Sequence, residues 1–137
     1  MRLLIWHVDG FSAEPTERGR SRVADAEPPT VAIADGLAVF AQGEKADEAE
    51  PEAVAARAAE AIGRVAAQLK VATVVLHSFA HLFGELCDPA VARAMLDATQ
   101  AHLAARGLAV QQTAFGWFNR LDLRAKGHPL SRQARQV

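Results

Sequence analysis

PEAVAARAAEAIGRVAAQLKVATVVLHS, residues 51–78, is the stretch from which the architecture is read. Pro51 stands where a helix tolerates a missing amide, and Glu48, Glu50 and Glu52 crowd the first turn, where the helix dipole favours negative charge. Val54, Ala58, Ile62, Val65 and Leu69 then recur on one face, with Arg57, Glu60, Arg64 and Gln68 off it. Residues 72–76 follow at once as a β-branched run through Val74 and Val75, which predicts a buried strand. A helix that packs on a sheet and feeds directly into it is an α/β unit.

Downstream, Asp88 as N-cap, Pro89 at the first helical position and Arg106-Gly107 as a cationic end with a left-handed cap bound a second helix. Residues 108–113 and 114–123 read as two further strands, with Gly116 marking a bend or a close backbone approach. Upstream, residues 36–41 form an apolar run ended by Gly43, and residues 2–8 read as a buried first strand. Residues 12–29, with three prolines, read as an exposed loop enclosing a short strand at 21–24, and the tail from Gly127 as irregular. The expected class is α/β, a mixed or antiparallel sheet with two helices on one face. Two helices leave the other face bare, so dimerisation or curling of the sheet is expected to cover it.

The composition supports a single folded domain over residues 1–137, half of it apolar and 23% charged. Cys87 is the only cysteine, which excludes an internal disulfide and a thiolate metal cluster and suits the reducing cytoplasm. The opening MRLLIWHVDG is too short and too polar to be a leader or a membrane span. A net charge of −1 lacks the footprint of a duplex-binding protein. Charge is nevertheless uneven: Arg120, Arg124, Lys126, Arg132 and Arg135 face only Asp122 near the carboxyl end, while residues 44–60 are mostly acidic. A basic end of this kind is either a solvated surface or a contact for an RNA terminus.

The residues that can carry chemistry are few. His77, His81 and Glu85 recur every four positions, but a zinc site at that spacing needs a helix beneath it, and two ordinary histidines after a strand are the plainer reading. Phe115-Gly116-Trp117-Phe118 concentrates aromatic side chains around a glycine, suited to a stacking wall or to a corner of the core. Lys126-Gly127-His128-Pro129 offers a cation and an imidazole on a rigid turn. No Ser/His/Asp elbow, carboxylate pair, Gly-rich phosphate cradle or Cys/His nucleophile pair is present, and no metal or cofactor is expected.

In order along the chain, MRLLIWHVD (1–9), GEKADEAEPE (43–52), SFAHLFGELCDP (78–89), FGWF (115–118) and KGHPL (126–130) resemble the editing domain of archaeal-type threonyl-tRNA synthetase. The resemblance implies a D-aminoacyl-tRNA deacylase-like fold and a homodimer. It implies hydrolysis of L-serine misattached to threonine tRNA, with the tRNA's own terminal 2′-hydroxyl helping to activate water. Carried over by position, substrate contacts fall to Gly43, Phe79, Ala80, Phe115, Gly116, Trp117 and Phe118, with backbone amides as oxyanion donors and His81 orienting substrate or water. Lys126 and Arg132 are added as contacts to the aminoacyl-tRNA 3′ end, and Asn119 as a catalytic position.

This chain departs from the family pattern where Tyr-Lys usually follows the glycine region, having Phe118 and Asn119, and where a Glu usually follows KGHPL, having Arg132. Three functions are therefore expected in turn: a freestanding deacylase that edits in trans, a paralogue that binds another ligand, or a noncatalytic module that docks on a threonyl-tRNA synthetase.

Overall fold

The computed structural model describes residues 1–137. The elements are β1 (Arg2–Arg18), β2 (Val31–Ile33), β3 (Gly36–Gln42), a 3-10 turn (Lys45–Ala49), α1 (Pro51–Leu69), β4 (Thr73–Ser78), α2 (Pro89–Ala105), β5 (Ala109–Gln112), β6 (Trp117–Ala125) and β7 (Arg132–Gln136). All seven strands form one sheet. β3, β4 and β5 lie side by side and parallel, so both crossovers run through a helix, and with the same hand they put α1 and α2 on one face. The mixed sheet with two helices on one face is thus the α/β class expected.

β1 organises the rest. Its first half pairs with β3 on one side and β7 on the other; its second half pairs with β2 and β6 on those same two sides. All four pairings are antiparallel, so the sheet changes from antiparallel to parallel at β3. Leu3 and Ile5 of β1, Leu37 and Val39 of β3, and Val74 and Leu76 of β4 point toward the helices and meet Val54, Ala58, Ile62, Met95 and Leu103 in the main core.

The opposite face carries a smaller cluster of Val8, Phe11, Ala13, Val31, Ala38, Phe40 and Val75. A register shift between Val8 and Gly10 moves the alternation by one residue, so that Phe11 and Ala13 join Val8 on that face instead of leaving it. Curling of β1 with β2 and β6 therefore supplies part of the cover.

Three expectations for the segments need correction. Residues 12–18 are strand, not loop: β1 runs on through Pro15, which sits at a second register shift where a missing amide is tolerated. Residues 21–24 form a turn instead of the expected short strand, and the strand of this region is β2. The tail is not irregular, because β7 closes the free edge of the first half of β1.

Candidate active site

The carboxyl ends of β3 and β4 lie beside each other, where open α/β sheets usually bind ligands. β3 ends in Gln42 and Gly43, and β4 runs into Ser78, Phe79 and Ala80, with the Phe79 amide donating to Ala41 O at 2.9 Å. A cavity of about 170 Å³ opens there. Besides these residues it is walled by Leu86, Cys87, Pro89 and Ala92 at the start of α2, by Phe115 and Gly116 after β5, and by Ser21.

Gly43 makes the floor. A Cβ there would stand 2.5 Å from Cys87 Sγ and 2.7 Å from Met95 Cε, so only glycine leaves the strand end flush against α2. Gln42 fixes the neighbouring rim: its amide accepts from Leu82 N at 2.6 Å and donates to Phe83 O at 3.0 Å.

The 19–25 loop clamps the other rim. Gly19 N donates to Gly116 O at 2.8 Å, Asp25 N to Phe115 O at 3.0 Å, and Trp117 Nε1 to Asp25 O at 2.9 Å. The Asp25 carboxylate accepts from Phe115 N at 2.7 Å and from the guanidinium of Arg93 on α2. Asp25 thus ties the cavity lip to a helix. Replacing it with alanine strips partners from a peptide N–H and a guanidinium together, and we expect a loss of about 2 kcal/mol, read as a lower urea midpoint. Asp25→Asn, which keeps the acceptor oxygen, is expected to lose less.

Behind Phe79 lies a second hollow of about 290 Å³, which shares Ser78, Phe79, Ala80 and Gly116 with the first and adds His77, His81, Trp117, Phe118 and Asn119. His77 is buried, and burial lowers its pKa from 6.5 to about 4, so it is neutral at physiological pH; its Nδ1 lies 2.8 Å from Thr113 Oγ1. His81 is exposed, its ring edge-on to Phe79 with centroids 5.2 Å apart. Asn119 donates through Nδ2 to Trp117 O at 3.0 Å and Ala114 O at 3.3 Å, which leaves its buried Oδ1 without a donor in the chain. Around the partition between the hollows, the backbone N–H groups of Gly43, Ala80, His81 and Gly116 donate to no group of the chain.

A model of the archaea-specific editing domain of threonyl-tRNA synthetase matches residues 1–137. The chain belongs to that editing-domain family. Its relatives include the threonine–tRNA ligases of Methanopyrus kandleri, 41% identical over 139 residues, and of Methanocaldococcus jannaschii, 35% identical over 138 residues. The ligase of Thermococcus kodakarensis is 34% identical over 140 residues. In each case the match covers 100% of this chain and 22% of the relative, so the chain spans about a fifth of their length. The solved structure of the c-Myc DNA Unwinding Element Binding Protein superposes with a TM-score of 0.63 at 12% identity, covering 100% of this chain and 99% of that one. At that identity the likeness shows the fold, which is the D-aminoacyl-tRNA deacylase-like fold expected.

Within this editing-family chain the positions singled out in the sequence fall into three groups. Gly43, Phe79, Ala80, Phe115 and Gly116 line the first cavity. His81, Trp117, Phe118 and Asn119 line the second hollow. Lys126 and Arg132 line neither: Lys126 Nζ binds the Asp9 carboxylate and lies 2.9 Å from Asp35, while the Arg132 guanidinium sits 5.2 Å from the centre of the Trp6 ring. The hydrogen bonds that Lys126 donates, first to Asp9 and then to Asp35, hold its pKa above the usual value. His77, Spacing with His81 and Glu85 notwithstanding, sits on β4 and not on a helix. Sequence reasoning missed Ser21, Gln42 and Asp25. Asp25 had a signal only in its pairing with Arg93, a contact 68 positions apart that spacing does not reveal.

Proposed function

We propose that this site hydrolyses mischarged aminoacyl-tRNA, removing L-serine from threonine tRNA in trans. Water adds to the acyl carbon, the bond to the ribose oxygen breaks, and free serine and an uncharged 3′ end leave. The observation that carries this reading is the set of uncommitted N–H groups at Gly43, Ala80, His81 and Gly116. Fixed backbone dipoles of this kind stabilise the negative charge that develops on a carbonyl oxygen under attack.

His81, exposed beside Phe79, orients substrate or water, and Asn119, on the wall of the second hollow with its buried Oδ1 unpartnered, is a second catalytic position. The glycine floor against Cys87 and Met95 suits a sieve by size, since an extra methyl group is rejected sterically. No metal or cofactor enters this chemistry. Leu121, 38% exposed, pairs with Ala13 and so stands on the face of Phe11 and Ala13, an apolar position that suits a homodimer, and the domain is read as cytoplasmic and as working beside a threonyl-tRNA synthetase.

The test is ester loss from seryl- and threonyl-tRNA, both on threonine tRNA, against a no-protein control. Faster loss of the seryl ester is expected, with His81→Ala slowing it tenfold or more, on the order of what a positioned polar group contributes. Loss no faster than the control for either ester overturns the deacylase and leaves the ligand-binding or docking module, which the unusual Asn119 and Arg132 favour.

A further inference from the structure

Most basic side chains of this protein are committed within the fold. Arg2, Arg93 and Lys126 pair with carboxylates and Arg132 lies over an indole ring, while the side chains of Lys70 and Arg106 stand free at the ends of α1 and α2, where the dipole favours a cation. Arg18, Arg20 and Arg22 are the free cations that cluster in one segment. All three are exposed, and none takes part in an ion pair, a side-chain hydrogen bond or a stacking contact.

They also share one place. Arg18 ends β1, and Gly19 is bonded to Gly116 of the cavity lip. Arg20 and Arg22 flank Ser21, which lines the cavity, and both border a shallow hollow shared with Pro89 and Ala90 at the start of α2. Asp88, which borders the same hollow, accepts from Ala90 N at 2.8 Å, Asp25 holds Arg93 and Phe115 N, and no carboxylate forms an ion pair with any of the three arginines. Three uncompensated guanidinium groups are therefore fastened to one rim of the pocket. Guanidinium is the side chain best matched to phosphate, because its planar donors reach two oxygens at once.

We propose that Arg18, Arg20 and Arg22 are the phosphate-binding rim that receives the last single-stranded nucleotides of the tRNA whose aminoacylated end enters the cavity. This rests on the deacylase reading and deepens it by assigning the RNA contact to the 18–22 segment, not to the basic carboxyl end.

The probe is a fluorescein-labelled hairpin RNA that ends in a single-stranded CCA terminus, titrated by anisotropy over a range of salt. Replacing all three arginines with glutamine is expected to weaken binding about tenfold or more and to flatten the dependence of log affinity on log salt by about 2, since each phosphate contact on a single strand contributes roughly 0.7. A charge-matched control, Arg57→Gln with Arg64→Gln and Arg106→Gln, is expected to leave both unchanged. Equal binding by the rim variant and the unaltered protein, equal weakening in the control, or no binding at all overturns the proposal.

Hydrolysis separates it from the reading on which it rests. The ratio of rates on a seryl ester of the hairpin and on seryl adenosine, which has no phosphate, is expected to fall only in the rim variant. If the unaltered protein hydrolyses neither ester yet binds the hairpin through the three arginines, the deacylase fails and the rim stands. If it hydrolyses both and the rim variant keeps the same ratio, the rim fails and the deacylase stands.

Discussion

Gly116→Ala is expected to lower the melting temperature by about 10 °C and to shut the cavity lip. Gly116 has a φ of +74°, and a Cβ on it would stand 2.6 Å from the Ala24 Cβ and 2.8 Å from the Ala24 Cα. The left-handed backbone alone costs about 1 kcal/mol for a residue with a Cβ. Overpacking against main chain that cannot swing aside adds about 2 kcal/mol. Together these amount to about 3 kcal/mol, and at this chain length each kcal/mol moves the midpoint by about 3 °C.

Gly107→Ala separates the two contributions. Gly107 has a φ of +84° but nothing within 4 Å of the added carbon. It is expected to lose only the conformational part, about 1 kcal/mol. If the two variants melt together, the packing of the 19–25 loop on Gly116 is not what holds the lip.

The second large effect follows from His77. Its folded pKa of about 4 lies below the ordinary 6.5, because burial disfavours the imidazolium. Above pH 6.5 the folded and unfolded chains are both neutral at this position, and stability is whole. As pH falls from 6.5 toward 4 the unfolded chain takes up a proton that the folded one refuses, so stability is lost progressively, by about 3 kcal/mol once pH is below 4.

Urea midpoints compared at pH 7.5 and 4.5 read the effect. His77→Gln, which keeps a polar partner for Thr113, is expected to flatten it in that window. The carboxylates of Asp9 and Asp35 are held low by hydrogen bonds from Lys126, and Glu48 by one from Lys45. Their stabilisation is present above the ordinary carboxylate range and is lost only as pH falls through their lowered values, beyond the histidine window. A slope that persists unchanged in His77→Gln assigns the loss to other groups.

Helices and parallel strands were legible because each carries its signal locally. The α1 stripe from Val54 to Leu69, the Asp88-Pro89 start of α2 and the run into β4 need no distant partner to be recognised. β1 was half hidden, since the shift at Gly10 breaks its alternation just where the period is being counted, and Pro15 argues against a strand unless the irregularity beside it is known. β7 carries no apolar period at all: Arg132, Gln133, Arg135 and Gln136 are held in place by backbone pairing with β1, which side-chain patterning does not report. In the site, the 78–81 and 115–119 segments were visible as motifs. The clamp from Asp25 was not, because it depends on which distant segments the fold brings together.

The long shared strand has a bearing on how the domain is made. Within these 137 residues β1 precedes every other element, while β6 and β7, which line its whole second side, follow all the rest. Until they arrive, one edge of this longest strand stays open, and pairings between segments so far apart in sequence are the slowest kind to form. That open edge is also a template for a neighbouring chain. The growing polypeptide therefore passes through a stage with its α/β half assembled and its first strand half-paired, in which aggregation, not misfolding of the helices, is the main hazard.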